Sequence, residues 1–84
     1  MVKAYVLVSV TTGKVRSVQE GLSELKGGHE VEVLAADNTT GPFDVIVLLK
    51  GGDMNDVAKF VAESIPQVNG VERTLTCWVT PAGD

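Results

Sequence analysis

One feature of the sequence constrains the fold most: the order in which strand-like and helix-like hydrophobic patterns follow one another along the chain. Four segments carry the period-two patterns or continuous apolar runs of β-strands, and two repeat apolar residues at helical spacing. The predicted strands span residues 2–10, 29–36, 43–50 and 71–79, and the predicted helices span 14–26 and 54–65. Short connections in the order β-α-β-β-α-β predict a ferredoxin-like α+β fold, formed by residues 1–84 as a single domain.

Capping and helix-breaking residues separate these segments. Thr11 or Thr12 is expected to cap the first helix, and Gly27-Gly28 to end it. Asp53 is a good N-cap for the second helix, whose predicted apolar stripe is Met54, Val57, Val61 and Ile65. Pro66 cannot continue that helix regularly, because proline lacks the backbone N–H.

The distribution of charge among the strands predicts their order in the sheet. The first and third strands are the most apolar, whereas the second and fourth carry Glu30, Glu32, Glu72 and Arg73. Central strands are buried more completely than edge strands, so we expect the order 4-1-3-2, the usual one for this fold.

Two helices can cover only one face of a four-stranded sheet, and the other face here is also rich in apolar residues. That uncovered face is expected to carry Tyr5, Leu7, Leu34, Ile46, Leu48 and Trp78. Soluble monomers rarely expose so large an apolar patch. The sequence therefore predicts a homo-oligomer in which sheets of different subunits pack together through this face.

Charge and cysteine content exclude several classes of function. Seven basic and eleven acidic residues give a net charge of −4, which offers no general attraction for nucleic acid. One cysteine forms no internal disulfide, and with one histidine it argues against a dedicated metal or haem site. The apolar N-terminus is too short to span a membrane and lacks a cleavage-site pattern, so a cytoplasmic location is expected.

The common catalytic motifs are not present. Gly13-Lys14 lacks the second glycine and the spacing of a phosphate-binding loop, and His29 has no nucleophile or orienting residue at a suggestive position. Cys77 is interpreted as a small core residue of the last strand. We therefore predict no catalytic residue, no cofactor and no enzymatic activity.

Two places suggest binding of a small polar molecule instead. Asp44 stands at the start of a very apolar strand, with the same side-chain parity as Ile46 and Leu48. Thr74 and Thr76 alternate on the last strand and are expected to share the uncovered face with Asp44. Hydroxyls beside a carboxylate suit a ligand that carries an amino group.

Nearly the whole chain resembles the effector-binding (RAM) domain of the Lrp/AsnC regulators. The similarity includes residues 2–8, the Gly41-Pro42-Phe43-Asp44 turn before an apolar strand, and residues 70–76. It implies dimers formed through the open sheet faces, rings of dimers (commonly octamers), and amino-acid effectors bound between dimers. The ligand-binding residues carried over are Gly41, Phe43, Asp44, Thr74 and Thr76, while Pro42 replaces a residue that is usually polar or acidic.

Full-length relatives place a helix-turn-helix before this domain, whereas Met1 here directly begins the first strand. The resemblance therefore implies a stand-alone form that senses an effector or modulates full-length Lrp/AsnC regulators by co-assembly. Three alternatives remain open. An ACT-like amino-acid sensor would bind near residues 10–13, a dimeric α+β-barrel enzyme would need a polar pocket between sheet and helices, and an assembly subunit would bind no ligand.

Overall fold

The computed structural model describes residues 1–25 and 30–80, and the predicted order of elements is confirmed within them. The predicted helix stop at Gly27-Gly28 and the predicted surface position of His29 lie outside the described residues. The elements are β1 (Val2–Val10), α1 (Val15–Ser23), β2 (Glu32–Asn38), β3 (Val45–Gly51), α2 (Met54–Glu63) with a short 3₁₀ helix (Ile65–Gln67), and β4 (Val71–Trp78).

The four strands form one antiparallel sheet in the order β2-β3-β1-β4, which confirms the predicted order with the first and third strands central. Val6 of β1 pairs with Val47 of β3, so the two most apolar strands lie side by side. Their β-branched side chains fit a sheet that is buried on its helix-facing side. The fold is therefore the predicted ferredoxin-like α+β fold.

The hydrophobic core lies between this sheet and the two helices. Phe60 of α2 and Leu22 of α1 are its largest fully buried side chains. Phe60 was missing from the predicted stripe, whereas Met54, which was included, is exposed. The remaining buried apolar residues are Ala4, Val6, Val8, Val10, Val18, Val31, Ala36, Val45, Val47, Leu49, Val57 and Ile65.

The helix ends agree with the predictions in part. The Asp53 side chain caps α2, because its Oδ1 accepts the Asp56 N–H at 2.8 Å. Pro66 lies in the 3₁₀ helix that follows α2, as expected of a residue that cannot continue a regular helix. The predicted threonine cap of α1 is wrong, because Lys14 holds the N-cap position and no side chain caps it. The Thr11 hydroxyl instead donates to Glu72 on β4 at 3.1 Å.

A β-bulge on β4 changes which face its side chains take. Val10 pairs with Val71 and Ser9 pairs with Arg73, so Glu72 is left without a partner on β1. One extra residue in a strand reverses the side-chain parity of everything beyond it. The period-two pattern that starts at Val71 therefore does not continue along β4.

The bulge corrects the predicted positions of two threonines. Thr74 pairs with Val8 and Thr76 pairs with Val6, both of which are buried against the helices. Directly paired residues in an antiparallel sheet share a face. The prediction that Thr74 and Thr76 share the uncovered face with Asp44 is therefore wrong.

Two other residues of β4 exchange faces for the same reason. Trp78 pairs with Ala4 and packs against the core, so its predicted place on the uncovered face is wrong. Cys77 pairs with Tyr5 and is exposed, so it is not the core residue that the alternation suggested.

Within residues 1–25 and 30–80, neither helix is long and apolar enough to cross a membrane.

Candidate functional site

The face of the sheet that points away from the helices is called the open face here. On this face Tyr5 is 45% exposed and Leu75 is 52% exposed, whereas the other face of the sheet is covered by the core. Its centre consists of two rows of paired residues across the four strands. One row is Ala35, Leu48, Tyr5 and Cys77, and the other is Asp37, Ile46, Leu7 and Leu75.

Polar and charged residues lie beyond these two rows at both ends of the open face. Lys50 pairs with both Lys3 and Glu32 at one end. Ser9 pairs with Arg73 at the other end. The predicted positions of Tyr5, Leu7, Ile46 and Leu48 are confirmed, while Leu34 lies at an irregularity of β2 between the paired residues Val33 and Ala35 and is partly exposed.

Asp44 is fixed in place by three hydrogen bonds at the Ser9 end of the open face. Its N–H donates to the Val8 carbonyl at 2.9 Å, and its carbonyl accepts the Thr39 N–H at 2.9 Å. Its carboxylate Oδ2 accepts the Val10 N–H at 2.8 Å. Val10 lies next to the bulge, so the Asp44 carboxylate supports the irregular end of β1.

This arrangement predicts a stability effect at Asp44. Replacing Asp44 by alanine leaves the Val10 N–H without its acceptor in a buried position, which costs about 1–3 kcal/mol of unfolding free energy. Asp44→Asn keeps an oxygen acceptor and should lose less than half as much. Urea unfolding of both variants at equal protein concentration measures the difference. Equal losses in the two variants would contradict the assigned role of the carboxylate.

A small cleft of about 190 Å³ lies beside Arg73 and is lined by Phe43, Arg73, Thr74 and Leu75. Phe43 belongs to the loop before β3, where the Thr39 hydroxyl donates to the Phe43 carbonyl at 2.9 Å. Gly41 occupies the left-handed backbone region at φ 118°, which a glycine adopts without strain. The cleft therefore joins the loop before β3 to β4, two strands away in the sheet.

The structure brings together only some of the predicted ligand-binding residues. Phe43 and Thr74 line the cleft, and Asp44 is adjacent in sequence to Phe43. Gly41 shapes the loop, whereas Thr76 lies on the helix side of β4. Sequence analysis missed Arg73, because the period-two pattern gave no sign of the bulge that pairs it with Ser9.

A second cleft of about 380 Å³ lies at the opposite end of β1. Its lining is mainly apolar and consists of Met1, Val2, Lys3, Met54, Trp78, Val79 and Thr80. In the part of the chain that the structure describes, no three His, Cys, Asp or Glu side chains converge as metal ligands. The cleft beside Arg73 thus combines a cation with apolar walls, whereas the larger cleft is mainly apolar.

Comparisons with known proteins agree with this architecture. A TTHA0845 structure from Thermus thermophilus is 28% identical, with a TM-score of 0.84 over 100% of this chain and 99% of that one. The hypothetical protein PHS023 from Pyrococcus horikoshii is also 28% identical, with a TM-score of 0.81 over 96% of this chain and 92% of that one. No curated protein sequence matches the chain.

A longer regulator shares the fold at lower identity. The transcriptional regulator NMB0573 from Neisseria meningitidis, solved as a complex with L-Met, is 22% identical with a TM-score of 0.79. The match covers 96% of this chain and 51% of the regulator. The family model of the Lrp/AsnC ligand binding domain matches residues 3–81, almost the entire sequence. The chain therefore belongs to the Lrp/AsnC ligand-binding domain family.

Proposed function

We propose that this protein binds a small amino-acid effector and assembles with copies of itself through the open face, as a regulatory module and not as an enzyme. The observation that carries the proposal is the apolar centre of the open face with a polar cleft at its edge. The family supports the regulatory role, because the model that matches this chain describes the Lrp/AsnC ligand-binding domain.

Burial of the open face supplies the driving force for assembly. Tyr5, Leu7, Ile46, Leu48 and Leu75 lie on neighbouring strands and form a continuous apolar surface. Each such side chain contributes about 1.5–3 kcal/mol when it is buried completely. Two copies related by a two-fold axis would present the same surface to each other, so every favourable contact occurs twice.

The cleft beside Arg73 supports the choice of ligand. Ligand sites combine apolar walls with a few polar groups that orient the bound molecule. Phe43 and Leu75 provide such walls, Arg73 provides a charged group, and Asp44 follows Phe43 directly along the chain. Thr74 also lines the cleft, although its side chain lies on the helix side of β4. The L-Met complex of the Neisseria meningitidis regulator is in line with an amino-acid ligand. Gly41 contributes the turn, and Thr76 would act only from the opposite side of β4.

This chain would then regulate other proteins by assembling with them. A chain with a net charge of −4 offers no general attraction for a phosphate backbone, so direct contact with nucleic acid forms no part of the proposal. The same apolar face could pair with that of a full-length Lrp/AsnC regulator. Mixed rings, octamers among them, would couple effector binding by this chain to the activity of the regulator.

Native mass spectrometry of the full chain tests both parts of the proposal. At micromolar concentration we expect even-numbered oligomers, and addition of each of the twenty L-amino acids should identify at least one that adds its own mass. Oligomers that form without any amino-acid adduct would contradict effector binding. A monomer at the same concentration would contradict assembly through the open face.

A further inference from the structure

We propose that the larger cleft, at the start of β1, is a separate ligand site for a small apolar carboxylic acid. The apolar part of the ligand would lie against Trp78 and Met54, and its carboxylate beside Lys3. The site lies roughly 20 Å from the Ser9 end of the open face, since a strand rises about 3.4 Å per residue between Lys3 and Ser9. The inference therefore adds a site and a ligand class to the proposed function and does not depend on it.

The inner wall of the larger cleft is held in place by the core. Val2 and Trp78 line the cleft, and both pack against the core from partly buried positions. Trp78 pairs with Ala4 of β1, which is fully buried, so the sheet fixes the position of the tryptophan. A wall that exists before the ligand arrives needs little ordering when the ligand binds, which favours affinity.

The outer side of the larger cleft consists of exposed apolar side chains. Met1, Met54 and Val79 line the cleft, and all three are exposed although they are large and apolar. Exposed apolar residues that cluster beside a concave surface are typical of a binding site. Methionine side chains adapt to the shape of a bound group and make favourable contacts with aromatic rings. The outer side can therefore close on apolar groups of different shapes.

The volume of the larger cleft indicates a small molecule. It is about 380 Å³, near the lower end of the range of about 300–1,000 Å³ that is typical of small-molecule sites. Such sites combine apolar walls with a few polar groups that orient the ligand. The apolar lining therefore favours a ligand with an apolar body, and the charge at the cleft decides which polar group that ligand carries.

Lys3 gives the larger cleft a preference for negative charge. It carries the only charged side chain among the described residues of the lining, is exposed, and has no side-chain partner in residues 1–25 and 30–80. Lys50 pairs with Lys3, so two positive charges lie opposite each other on β1 and β3. On the other side, the Val79 N–H donates to the Lys3 carbonyl at 3.0 Å, so the neighbour on β4 is apolar. A carboxylate beside Lys3 would offset this like-charge repulsion.

The same lining disfavours a ligand that carries an ammonium group. Among the described residues, no aspartate or glutamate lines the larger cleft. Asp53 precedes Met54 in the chain, but its carboxylate caps α2 by accepting the Asp56 N–H. An ammonium group would therefore lie near Lys3 without an acceptor of opposite charge. The inferred ligand class is an apolar carboxylic acid without an amino group, which distinguishes this site from one for amino acids.

Trp78 is the only tryptophan of the chain and lines the larger cleft, so its fluorescence reports on binding there. The probes are octanoate, octanol, which has the same chain without charge, octylamine, which carries the opposite charge, and hexanoate. Octanoate should change the emission saturably and bind about threefold or more tightly than octanol, while octylamine should bind more weakly than octanol. Hexanoate should bind about tenfold more weakly than octanoate, because each buried methylene group strengthens binding roughly fourfold.

Two pairs of variants assign the binding to individual residues. Lys3→Gln should reduce the affinity for octanoate to that for octanol, whereas Lys59→Gln should leave both unchanged, since Lys59 is exposed on α2 and does not line the cleft. Met54→Gln should weaken octanoate and octanol by the same factor and leave their ratio unchanged. Leu34→Gln removes an exposed apolar side chain from β2, outside the cleft, and should change neither affinity.

Several results would overturn this inference and leave the proposed function standing, because amino-acid binding is measured separately by native mass spectrometry. One is a Trp78 emission that none of the probes changes. A second is a preference for octanoate over octanol that is absent, or that survives in Lys3→Gln. A third is equal weakening by Leu34→Gln and Met54→Gln, which would place the probes elsewhere. If a second copy of the chain fills the cleft, Met54→Gln would shift the oligomers toward smaller species, which would also overturn the inference.

Discussion

Phe60→Ala is expected to lower the free energy of unfolding by about 3–5 kcal/mol, the largest stability loss that one truncation in this chain should cause. Phe60 is 0% exposed and lies among the core residues of α2 and the sheet. Alanine leaves a cavity where the ring was, and the surrounding side chains relax only partly. Small domains are stable by only about 5–15 kcal/mol, so this loss is a large share of the total unfolding free energy.

The matched control is Phe43→Ala, since the chain contains only these two phenylalanines. Phe43 is half-buried in a loop and should lose less than half as much unfolding free energy. Urea midpoints measured at one fixed protein concentration compare the two variants, because assembly makes stability depend on concentration. Similar midpoint shifts for both variants would contradict the placement of Phe60 at the centre of the core.

Leu75→Glu is expected to convert the assembled protein into folded monomers. Leu75 is 52% exposed on the open face, paired with Leu7 of the neighbouring strand. A two-fold interface would bury two introduced carboxylates within an apolar surface, and each would cost several kcal/mol. Because about 1.4 kcal/mol corresponds to a factor of ten, the dissociation constant should rise by two powers of ten or more.

Met54→Glu provides the control for Leu75→Glu. Met54 is 53% exposed at the start of α2, so the same change is made at an equally exposed apolar residue on the other side of the sheet. Sedimentation velocity over a range of protein concentrations should show unchanged assembly for this variant. Dissociation by both variants, or by neither, would contradict the open face as the interface.

Much of the fold could be predicted from local patterns. The continuous apolar run of residues 45–49 predicted a central strand, and it forms β3 between β1 and β2. The first helix was predicted too long, since α1 ends at Ser23 although Leu25 still packs against the core. Phe60 was missed because the predicted stripe continued from Val57 by four residues to Val61. A helical stripe also admits a residue three positions further on.

The candidate site could be predicted less completely, because it depends on contacts between distant residues. The Gly41-Pro42-Phe43-Asp44 turn indicated the loop at the site, and Phe43 does line a cleft. The bulge that pairs Arg73 with Ser9 lies beside a hydrogen bond between Val10 and Asp44, which are 34 residues apart. No spacing rule within β4 reveals such a bond.

The sequence by itself determined the order of the elements, the central position of β1 and β3, and the excess of apolar side chains that two helices cannot cover. Periodicity and charge specify these features residue by residue, so they are visible in a single chain. The tertiary structure alone decided that Thr74, Thr76 and Trp78 face the helices while Arg73, Leu75 and Cys77 face outward. The physical reason is that one unpaired residue, Glu72, reverses the parity of the strand beyond it, and strand register is set by partners across the sheet.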